Sequence, residues 1–403
     1  MAEPQSSPPT ATSEIRNQKS ETPPPLRVLL VEDNEDHAAL IQTHLRRAPG
    51  TTVQVHHVTR LGDGIAHAQT GAADAVLLDM MLPDSSGIET VGRFHAQAPL
   101  VPIVVLTSAE DERYALEALH QGAEDYIFKG AADAQNLYRS LRYAIERYGR
   151  RRAEIALDSA RQELRIAQTI QEGLYPRSAP PLPGFEVAGS SRPAESVGGD
   201  YFDYFPMFGG RTGIAVGDVS GHGLGPAILM AETRATLRSL CLTCPDPGET
   251  LTQANRVISD GMAEGRFVTL LLVALDPRKR VIQWAGAGHP DGLIFAPDGR
   301  IAARLPSPGC PLGVLPEESY TTAGTTTLLP GQLLLLYSDG VFEASPPGPM
   351  IPFGENRMVE LVARELKKPA SQILESLHDA VTRYTLPGKP LDDITAVVVK
   401  SLA

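Results

Sequence analysis

Short apolar runs alternate with helical stretches in the N-terminal part of the chain. The runs are bounded by polar residues and are rich in aliphatic side chains, which predicts buried strands at 26–31, 53–58, 75–78, 103–106 and 125–128. Between them, apolar residues recur at helical spacing, for example over 37–47 and 115–121. Alternating strands and helices of this length are typical of βα units. We therefore expect a doubly wound α/β domain with a parallel sheet over residues 26–136.

A long stretch without proline follows, from 137 to about 175. Its apolar positions are spaced alternately by four and three residues, which is the heptad pattern of a coiled coil. The seam consists of Ala153, Leu157, Ala160, Leu164, Ala167, Gln171 and Leu174. This pattern predicts a helical linker over 137–175, which either packs on its own domain or pairs with a second copy. A stripe that bridges two domains must be buried somewhere, and this favours a parallel homodimer.

The pattern changes again after the prolines at 176–183. Short apolar runs separated by Gly, Pro and Asp predict strands at 212–216, 268–274, 281–285, 292–295 and 332–337. Helical spacing recurs over 225–240, 250–261, 358–366 and 371–384. We expect residues 176–403 to form an α+β domain with mostly antiparallel strands.

Composition and charge exclude several classes of protein. Residues 1–25 are rich in Pro, Ser, Thr, Glu and Gln, which predicts a disordered tail. The net charge of −12 argues against nucleic-acid and anionic-membrane binding, and no basic recognition helix supports a DNA-binding regulator. No apolar run approaches the roughly 20 residues of a membrane span. Three cysteines exclude a disulfide scaffold and agree with a cytoplasmic location, and the Cys241–Cys244 pair has no partners for a zinc site.

Acidic residues stand at the ends of the first predicted strands. Glu32 and Asp33 follow the first strand and Asp79 follows the third. Because ligands bind beyond the carboxyl ends of strands in such sheets, these carboxylates are expected to converge and to suit Mg²⁺. Thr107 ends the fourth strand with a hydroxyl, and Lys129 ends the fifth with a positive charge. An aspartate beside Mg²⁺, a hydroxyl and a lysine is equipped to accept a phosphoryl group.

Residues 26–147 resemble the receiver domain of bacterial response regulators, which has a flavodoxin-like fold. The resemblance implies Asp79 as phospho-acceptor, Asp33 as direct Mg²⁺ ligand with Glu32 as its partner, Met81 as a carbonyl ligand, Thr107 and Lys129 as the switch pair, and Tyr126 as the rotating aromatic residue. It also implies a sensor histidine kinase or a phosphotransfer protein as the phosphoryl donor. One position departs from the family pattern, because Gly130 stands where proline is usual after the lysine.

Four acidic motifs lie far apart in the C-terminal region. They are VGGDYFD, VGDVSGHG, YSDG and LDDIT, which contain Asp200, Asp203, Asp218, Asp339, Asp392 and Asp393. Adjacent glycines allow the backbone to approach a metal or a phosphate closely. Aspartates without cysteine are the ligands of Mg²⁺ or Mn²⁺, and two such ions can activate water for attack on a phosphate. An isolated Asp-Gly is usually a turn, but four such motifs near strand ends favour a metal site.

This region resembles the metal-dependent (PPM) serine/threonine phosphatases of the bacterial SpoIIE type, which have a β-sandwich flanked by helices. IQEGLYP, PAESVGGDYFD, GDVSGHG, GAGHP, PLG, YSDG and DDIT carry the resemblance, in family order. It implies a site for two Mn²⁺ or Mg²⁺ ions. The implied ligands are Asp200, Asp218 as the bridging residue, the carbonyl of Val219, Asp339 and Asp392, with Asp393 as the alternative to Asp392.

Three further residues have two possible roles. His222 and His289 are candidate general acids, although a loop histidine more often binds its own turn. Arg192 is a candidate for holding the substrate phosphate, although a surface arginine is commoner.

The two resemblances together predict a response regulator whose output is a protein serine/threonine phosphatase. They suggest an anti-sigma-factor antagonist as the substrate. The alternative is an adaptor whose phosphatase-like domain has lost its metal ligands and binds a partner without catalysis. The adaptor would lack some of the acidic residues of these motifs. Here the four proposed metal-binding aspartates are all present, namely Asp200, Asp218, Asp339 and Asp392.

Overall fold

The structure is a computed structural model. It describes residues 24–48, 52–108, 112–261, 265–348, 351–388 and 390–402. For residues 112–115 it describes the backbone and not the side chains. Residues 1–23 of the predicted disordered tail lie outside the described residues. The chain divides into two compact units, Met1–Asp158 and Ser159–Ala403. Among the described helices, none combines the length and apolar character that a membrane span requires.

The first unit contains a five-stranded parallel sheet with strand order β2-β1-β3-β6-β7. Its strands are β1 Leu26–Val31, β2 Val53–Val58, β3 Ala75–Asp79, β6 Ile103–Thr107 and β7 Asp125–Phe128, and a short antiparallel pair consists of β4 Met81–Leu82 and β5 Ser85–Ser86. The helices around the sheet are α1 Glu35–Arg46, α2 Leu61–Gln69, α3 Ile88–Gln97 and α4 Glu112–His120, together with the first turns of α5 Ala134–Glu172. The predicted doubly wound α/β domain is confirmed.

The central strands of this sheet are covered on both faces, which explains their nearly continuous apolar sequence. Alternate side chains enter two cores. In β1 and β3, one core receives Leu29, Val31, Val76 and Leu78, and the other receives Val28, Leu30, Ala75 and Leu77. The polar residues at the carboxyl ends of the strands are therefore left at one edge of the sheet.

Helix α5 has 39 residues and crosses the boundary between the two units. Its first turns are buried in the first unit through Leu137, Leu141 and Ala144. Every residue from 149 to 166 is exposed, so no described residue of the chain buries Leu157 or Leu164 of the predicted seam. The helix ends at Glu172, before Gly173, and not at the prolines that begin at 176. The predicted long helix is confirmed, and its pairing with a second copy stays a prediction.

The second unit contains two five-stranded antiparallel sheets. One sheet has the order β15-β12-β11-β10-β9, with β9 Tyr201–Met207, β10 Arg211–Val219, β11 Val268–Asp276, β12 Val281–Ala287 and β15 Gly324–Thr327. The other has the order β14-β13-β16-β17-β8, with β8 Phe185–Arg192, β13 Gly292–Phe295, β14 Ile301–Leu305, β16 Leu333–Tyr337 and β17 Ile394–Ser401. The helices are α6 Leu224–Leu240, α7 Pro247–Gly261, α8 Gly340–Glu343, α9 Glu355–Glu365 and α10 Ala370–Thr385.

Three apolar layers hold this unit together. The first lies between the sheets and includes Val216, Leu334 and Val397. The second packs α6 and α7 on the first sheet, and the third packs α9 and α10 on the second sheet. The result is a helix–sheet–sheet–helix sandwich, which confirms the predicted flanked β-sandwich.

Candidate active sites

Three carboxylates of the first unit meet at the carboxyl edge of the parallel sheet. Glu32 and Asp33 follow β1, and Asp79 is the last residue of β3. One carboxylate oxygen from each residue lies within 4.8 Å of the other two. Glu32 and Asp79 are buried, whereas Asp33 is exposed. Oxygen ligands at this separation fit a divalent cation that keeps several of its waters.

Lys129 supplies the positive charge at this edge. Its Nζ donates to Glu32 Oε1 at 3.0 Å and to Asp79 Oδ2 at 2.8 Å. Burial lowers the pKa of Lys129, but its hydrogen bonds to Asp79 and Glu32 outweigh this effect and raise the pKa overall. Burial raises the pKa of Glu32, and Lys129 opposes that change. The lysine is therefore held in its charged form between two acids.

A cavity of about 450 Å³ opens over Asp79. It is lined by His37, Asp79, Met80, Met81, Ser86, Gly87, Leu106, Thr107, Ser108 and Lys129. The exposed Met81 donates its N–H to Asp79 Oδ1 at 3.3 Å, and the hydroxyl of the buried Thr107 donates to the carbonyl of Ser108 at 3.4 Å. Tyr126 packs edge-on against Phe128, and Gly130 lies in a 3₁₀ turn, Lys129–Ala131. The cavity thus opens onto the carboxylate of Asp79.

The acidic motifs of the second unit come together from both of its sheets. Asp200 precedes β9 and Asp218 lies near the end of β10, in one sheet. Asp339 follows β16 and Asp392 precedes β17, in the other sheet. Burial raises the pKa of Asp218 to about 7, with further contributions from Asp339, Asp392 and Asp393. The mutual repulsion shows that these carboxylates share one region of the unit.

The same repulsion acts on the other members of this cluster. The pKa of Asp200 is raised well above its ordinary value by burial, and then by Asp218 and Asp393. Burial also raises the pKa of Asp339. Asp392 is an exposed residue overall, but the loss of water around its carboxyl group raises its pKa to about 6. No lysine or arginine among the described residues forms an ion pair with Asp200, Asp218, Asp339 or Asp392. A cluster of this kind is stabilised by bound cations.

The adjacent residues Asp392 and Asp393 have different surroundings. The buried Asp393 accepts the N–H of Ala194 at 2.8 Å and the N–H of Asp200 at 3.2 Å, one on each carboxylate oxygen. The exposed Asp392 accepts only the neighbouring N–H of Asp393, at 2.8 Å, among the hydrogen bonds of the described residues. The carboxylate of Asp393 is thus occupied by backbone, and that of Asp392 has free lone pairs.

Asp203, in the same motif as Asp200, is not part of the acidic cluster. Its carboxylate pairs with Arg238 through two hydrogen bonds of 2.6 and 2.7 Å, and Arg234 lies 3.4 Å away. Asp203 therefore ties β9 to α6. A residue that the sequence reasoning did not assign is Ser338, whose hydroxyl donates to Asp200 Oδ2 at 2.7 Å. The sequence feature that could have indicated Ser338 is its position directly before Asp339 in the YSDG motif.

The two histidines and the arginine considered from sequence lie in different environments. His289 is buried, bonds Thr269 through Nδ1 at 2.9 Å, and has its pKa lowered to about 3 by burial. It is neutral at neutral pH, which disfavours a role as general acid. His222 is exposed and lies 3.6 Å from Glu195, and Arg192 lies 3.7 Å from Asp379 on α10.

Two family models match the chain. The model of the response regulator receiver domain matches residues 28–142. The model of stage II sporulation protein E (SpoIIE) matches residues 209–401.

Several curated relatives match part of this chain. Phosphoserine phosphatase RsbU of Bacillus subtilis is 24% identical over 240 residues, which cover 60% of this chain and 70% of that protein. Protein IcfG of Synechocystis is 27% identical over 267 residues, or 59% of this chain, and the match spans only 41% of that protein. The KDP operon regulatory protein KdpE of Escherichia coli is 34% identical over 121 residues, which are 30% of this chain and 52% of that protein.

A solved structure supports the fold of the second unit. The SiaA-PP2C domain of Pseudomonas aeruginosa aligns with a TM-score of 0.54 at 22% identity, and covers 61% of this chain and 98% of that domain. At this identity the likeness concerns the fold alone. The sheet order, the two acidic clusters and the two family matches lead to one conclusion. The chain contains a response regulator receiver domain over residues 28–142 and a domain of the SpoIIE family of PPM phosphatases over residues 209–401.

Proposed function

We propose that the chain is a metal-dependent protein serine/threonine phosphatase whose activity is regulated by phosphorylation of Asp79. The observation that carries this proposal is the cluster of Asp200, Asp218, Asp339 and Asp392, which repel one another without a basic partner among the described residues. A protein that only binds a partner does not need such a cluster, and we would expect other residue types to have replaced some of its aspartates.

The acidic cluster fits two Mg²⁺ or Mn²⁺ ions by its chemistry. Its donors are hard oxygens, and the pKa of Asp218, raised to about 7, indicates how strongly a bound cation would stabilise the ionised form. Asp200 and the bridging Asp218, with the carbonyl of Val219, would hold one ion, and Asp339 and Asp392 would complete the second site. When bound, the two ions would provide a nucleophile at neutral pH and neutralise charge on the phosphate.

The remaining residues of this site orient the ligands and handle protons. Ser338 fixes one carboxylate oxygen of Asp200, and Asp393 fixes the N–H of the same residue. The exposed His222, four residues after Asp218, would deliver a proton to the departing serine or threonine oxygen.

The receiver would control this activity through phosphorylation. A histidine kinase or phosphotransfer protein would donate the phosphoryl group, so that a P–O bond forms at Asp79 as the P–N bond of the donor histidine breaks. Glu32, Asp33, Asp79 and the carbonyl of Met81 would hold Mg²⁺, and Lys129 would neutralise charge on the phosphoryl oxygens. The hydroxyl of Thr107, in the same cavity, would then bind the phosphoryl group.

The proposed substrate is a phosphoserine or phosphothreonine protein, and the family resemblance suggests an anti-sigma-factor antagonist. The name of the relative RsbU, a phosphoserine phosphatase, supports this class of substrate. Two copies of the chain would pair along α5, where Leu157 and Leu164 are 50% and 40% exposed. Because Ala153, Ala160 and Ala167 of the seam bury little apolar area, this pairing should be weak. A neighbouring domain can bias a weak equilibrium, because small free energies shift its population.

The test is hydrolysis of a phosphoserine protein by the full chain, with and without a chelator. We expect the activity to vanish with the chelator and to return when Mn²⁺ or Mg²⁺ is added, and we expect acetyl phosphate to change the rate only if Asp79 is present. Turnover that persists without metal would indicate a covalent nucleophile and would contradict the proposal.

A further inference from the structure

The end of helix α5 reaches the loop that carries Asp200. Gln171, in the last turn of the helix, is only 4% exposed. Its side-chain amide donates to the carbonyl of Gly198 at 2.7 Å and accepts the N–H of the same residue at 3.1 Å. A glutamine that satisfies both polar groups of one glycine holds the backbone there as a neighbouring strand would.

A second side chain continues this contact to Asp200 itself. The hydroxyl of Tyr175, three residues after the end of α5, donates to the carbonyl of Asp200 at 2.8 Å. The N–H of Asp200 is bound by Asp393 at 3.2 Å. Both backbone polar groups of Asp200 are therefore held by side chains, one from each side of the loop.

The loop has little room to move against the strand that carries Asp218. A Cβ atom placed on Gly199 would lie 2.5 Å from the carbonyl oxygen of Val219 and 3.1 Å from Asp218 Oδ1. A Cβ atom on Gly198 would lie 2.0 Å from Asp393 Oδ2. Because the loop is packed this closely, the contacts made by Gln171 and Tyr175 bear directly on the distance between Asp200 and Asp218.

We infer that Gln171 and Tyr175 are positioning residues for the phosphatase metal site: they hold the Gly198–Gly199–Asp200 backbone so that Asp200 and Asp218 can bind the same ion. The inference rests on the proposed function. It assigns the end of α5 to the metal site of the phosphatase domain. Gln171 acts through the backbone of the loop and not by touching substrate or metal.

Replacing these residues should change the affinity for the metal more than the rate of hydrolysis once the metal is bound. Residues that orient metal ligands typically change metal affinity by roughly 10- to 100-fold when they are replaced. Replacing Gln171 with Met keeps the length of the side chain and removes both hydrogen bonds, so we expect the dissociation constant for Mn²⁺ to rise within that range. Tyr175→Phe keeps the ring, which stacks on Phe202 at 5.5 Å, and removes only the hydroxyl. We expect a rise near the lower end of the range.

Gln168 provides a matched control. It lies one turn earlier on α5, and its amide binds Glu172 of the same helix at 3.0 Å. Gln168→Met makes the same chemical change without touching the loop.

The experiment measures binding of Mn²⁺ alone by electron paramagnetic resonance of the free ion. The protein is the full chain with Asp33→Asn in every sample, so that the receiver site does not contribute, and Asp218→Asn identifies the phosphatase site. We expect weaker binding in Gln171→Met and Tyr175→Phe, unchanged binding in Gln168→Met, and recovery of turnover in Gln171→Met at saturating Mn²⁺.

Two results would overturn the inference. One is equal affinity in Gln171→Met and Gln168→Met, and the other is a loss of turnover in Gln171→Met that excess Mn²⁺ does not restore. Failure of the proposed function is distinguishable, because the parent protein itself would then bind no Mn²⁺ that depends on Asp218. If Gln171→Met does not fold, Tyr175→Phe decides by the same two criteria.

Discussion

The two acidic clusters of this protein differ in how their charge is balanced. In the receiver, Lys129 lies 2.8 Å from both a Glu32 oxygen and an Asp79 oxygen. In the phosphatase domain, Asp200, Asp218, Asp339 and Asp392 have no basic partner among the described residues, and burial together with mutual repulsion raises the pKa of each. The difference indicates that the receiver carries part of its own counter-charge, whereas the described residues of the phosphatase domain supply none to this cluster, as expected of the cation site proposed here.

The most complete effect is expected at the receiver, where a single residue, Asp79, is the proposed phospho-acceptor. Asp79→Asn should abolish labelling by acetyl phosphate in the presence of Mg²⁺, because an amide oxygen cannot take the phosphoryl group. Labelling of the intact chain measures this. Asp63→Asn, on an exposed position of α2, is the control and should label normally. Label retained in Asp79→Asn would refute the assignment.

In the phosphatase domain, removal of one carboxylate should reduce turnover without removing every ligand. Asp218→Asn should lower the rate of phosphoserine hydrolysis by about a thousandfold or more, because a bridging ligand supports charge stabilisation of several kcal/mol. Hydrolysis at saturating Mn²⁺ measures the effect. Asp203→Asn serves as the contrast. It breaks the pair with Arg238 and should lower stability while the metal affinity of the folded protein is kept.

Removing the positive charge of Lys129 tests directly whether the two acidic clusters differ in how their charge is balanced. Lys129→Met leaves Glu32 and Asp79 buried without a positive partner, and should destabilise the receiver by about 2 kcal/mol. Hydrogen exchange of β1 and β3 amides reports this local stability. Lys279→Met removes an exposed pair with Asp276, at 3.8 Å, and should change little. Equal effects of the two substitutions would mean that Lys129 does not balance this cluster.

The adjacent residues Asp392 and Asp393 are expected to have different roles. Asp392 is the proposed metal ligand, and Asp393 holds the backbone of the neighbouring loop. Asp392→Asn should weaken Mn²⁺ binding and leave the fold intact, since Asp392 is an exposed residue whose carboxylate accepts only the N–H of its neighbour Asp393 among the described residues. Asp393→Asn should instead destabilise the Ala194–Asp200 loop by about 1–3 kcal/mol, because an amide cannot accept both N–H groups. Mn²⁺ titration and hydrogen exchange of the Asp200 amide separate the two results. The reverse pattern would make Asp393 the ligand.

The smallest effect is expected in the helix that joins the two domains. If two copies pair along α5 as proposed, Leu157→Asp with Leu164→Asp should abolish the dimer in a sedimentation experiment and uncouple hydrolysis from Asp79, with both domains still folded. Ile155→Asp with Ile166→Asp is the matched control, because these residues are also exposed but lie outside the heptad seam. A double seam variant that remains dimeric and responsive would make α5 a passive tether.

The amino-acid pattern by itself predicted the α/β class of the first domain, the α+β class of the second and the strand ends that carry the receiver residues, whereas the layered sandwich of the second domain was implied only by the family resemblance. Those inferences succeed because each site residue adjoins a strand whose apolar pattern is local, as with Asp79 after AVLL and Lys129 after DYIF. The same reasoning grouped the acidic motifs of the phosphatase domain, since each includes or adjoins a turn or strand end.

Only the tertiary structure decided what each acidic or amide side chain binds. Asp200 and Asp203 belong to one motif, yet Asp203 is neutralised by Arg238, 35 positions away. Asp393 binds the N–H of Asp200 across 193 positions, which occupies it and leaves its neighbour Asp392 free. Gln171 fits the heptad spacing, but its amide is bound to Gly198 in its own domain. Sequence pattern reports which face of an element is apolar, whereas partners this far apart in the chain are chosen only when the packed layers bring them together.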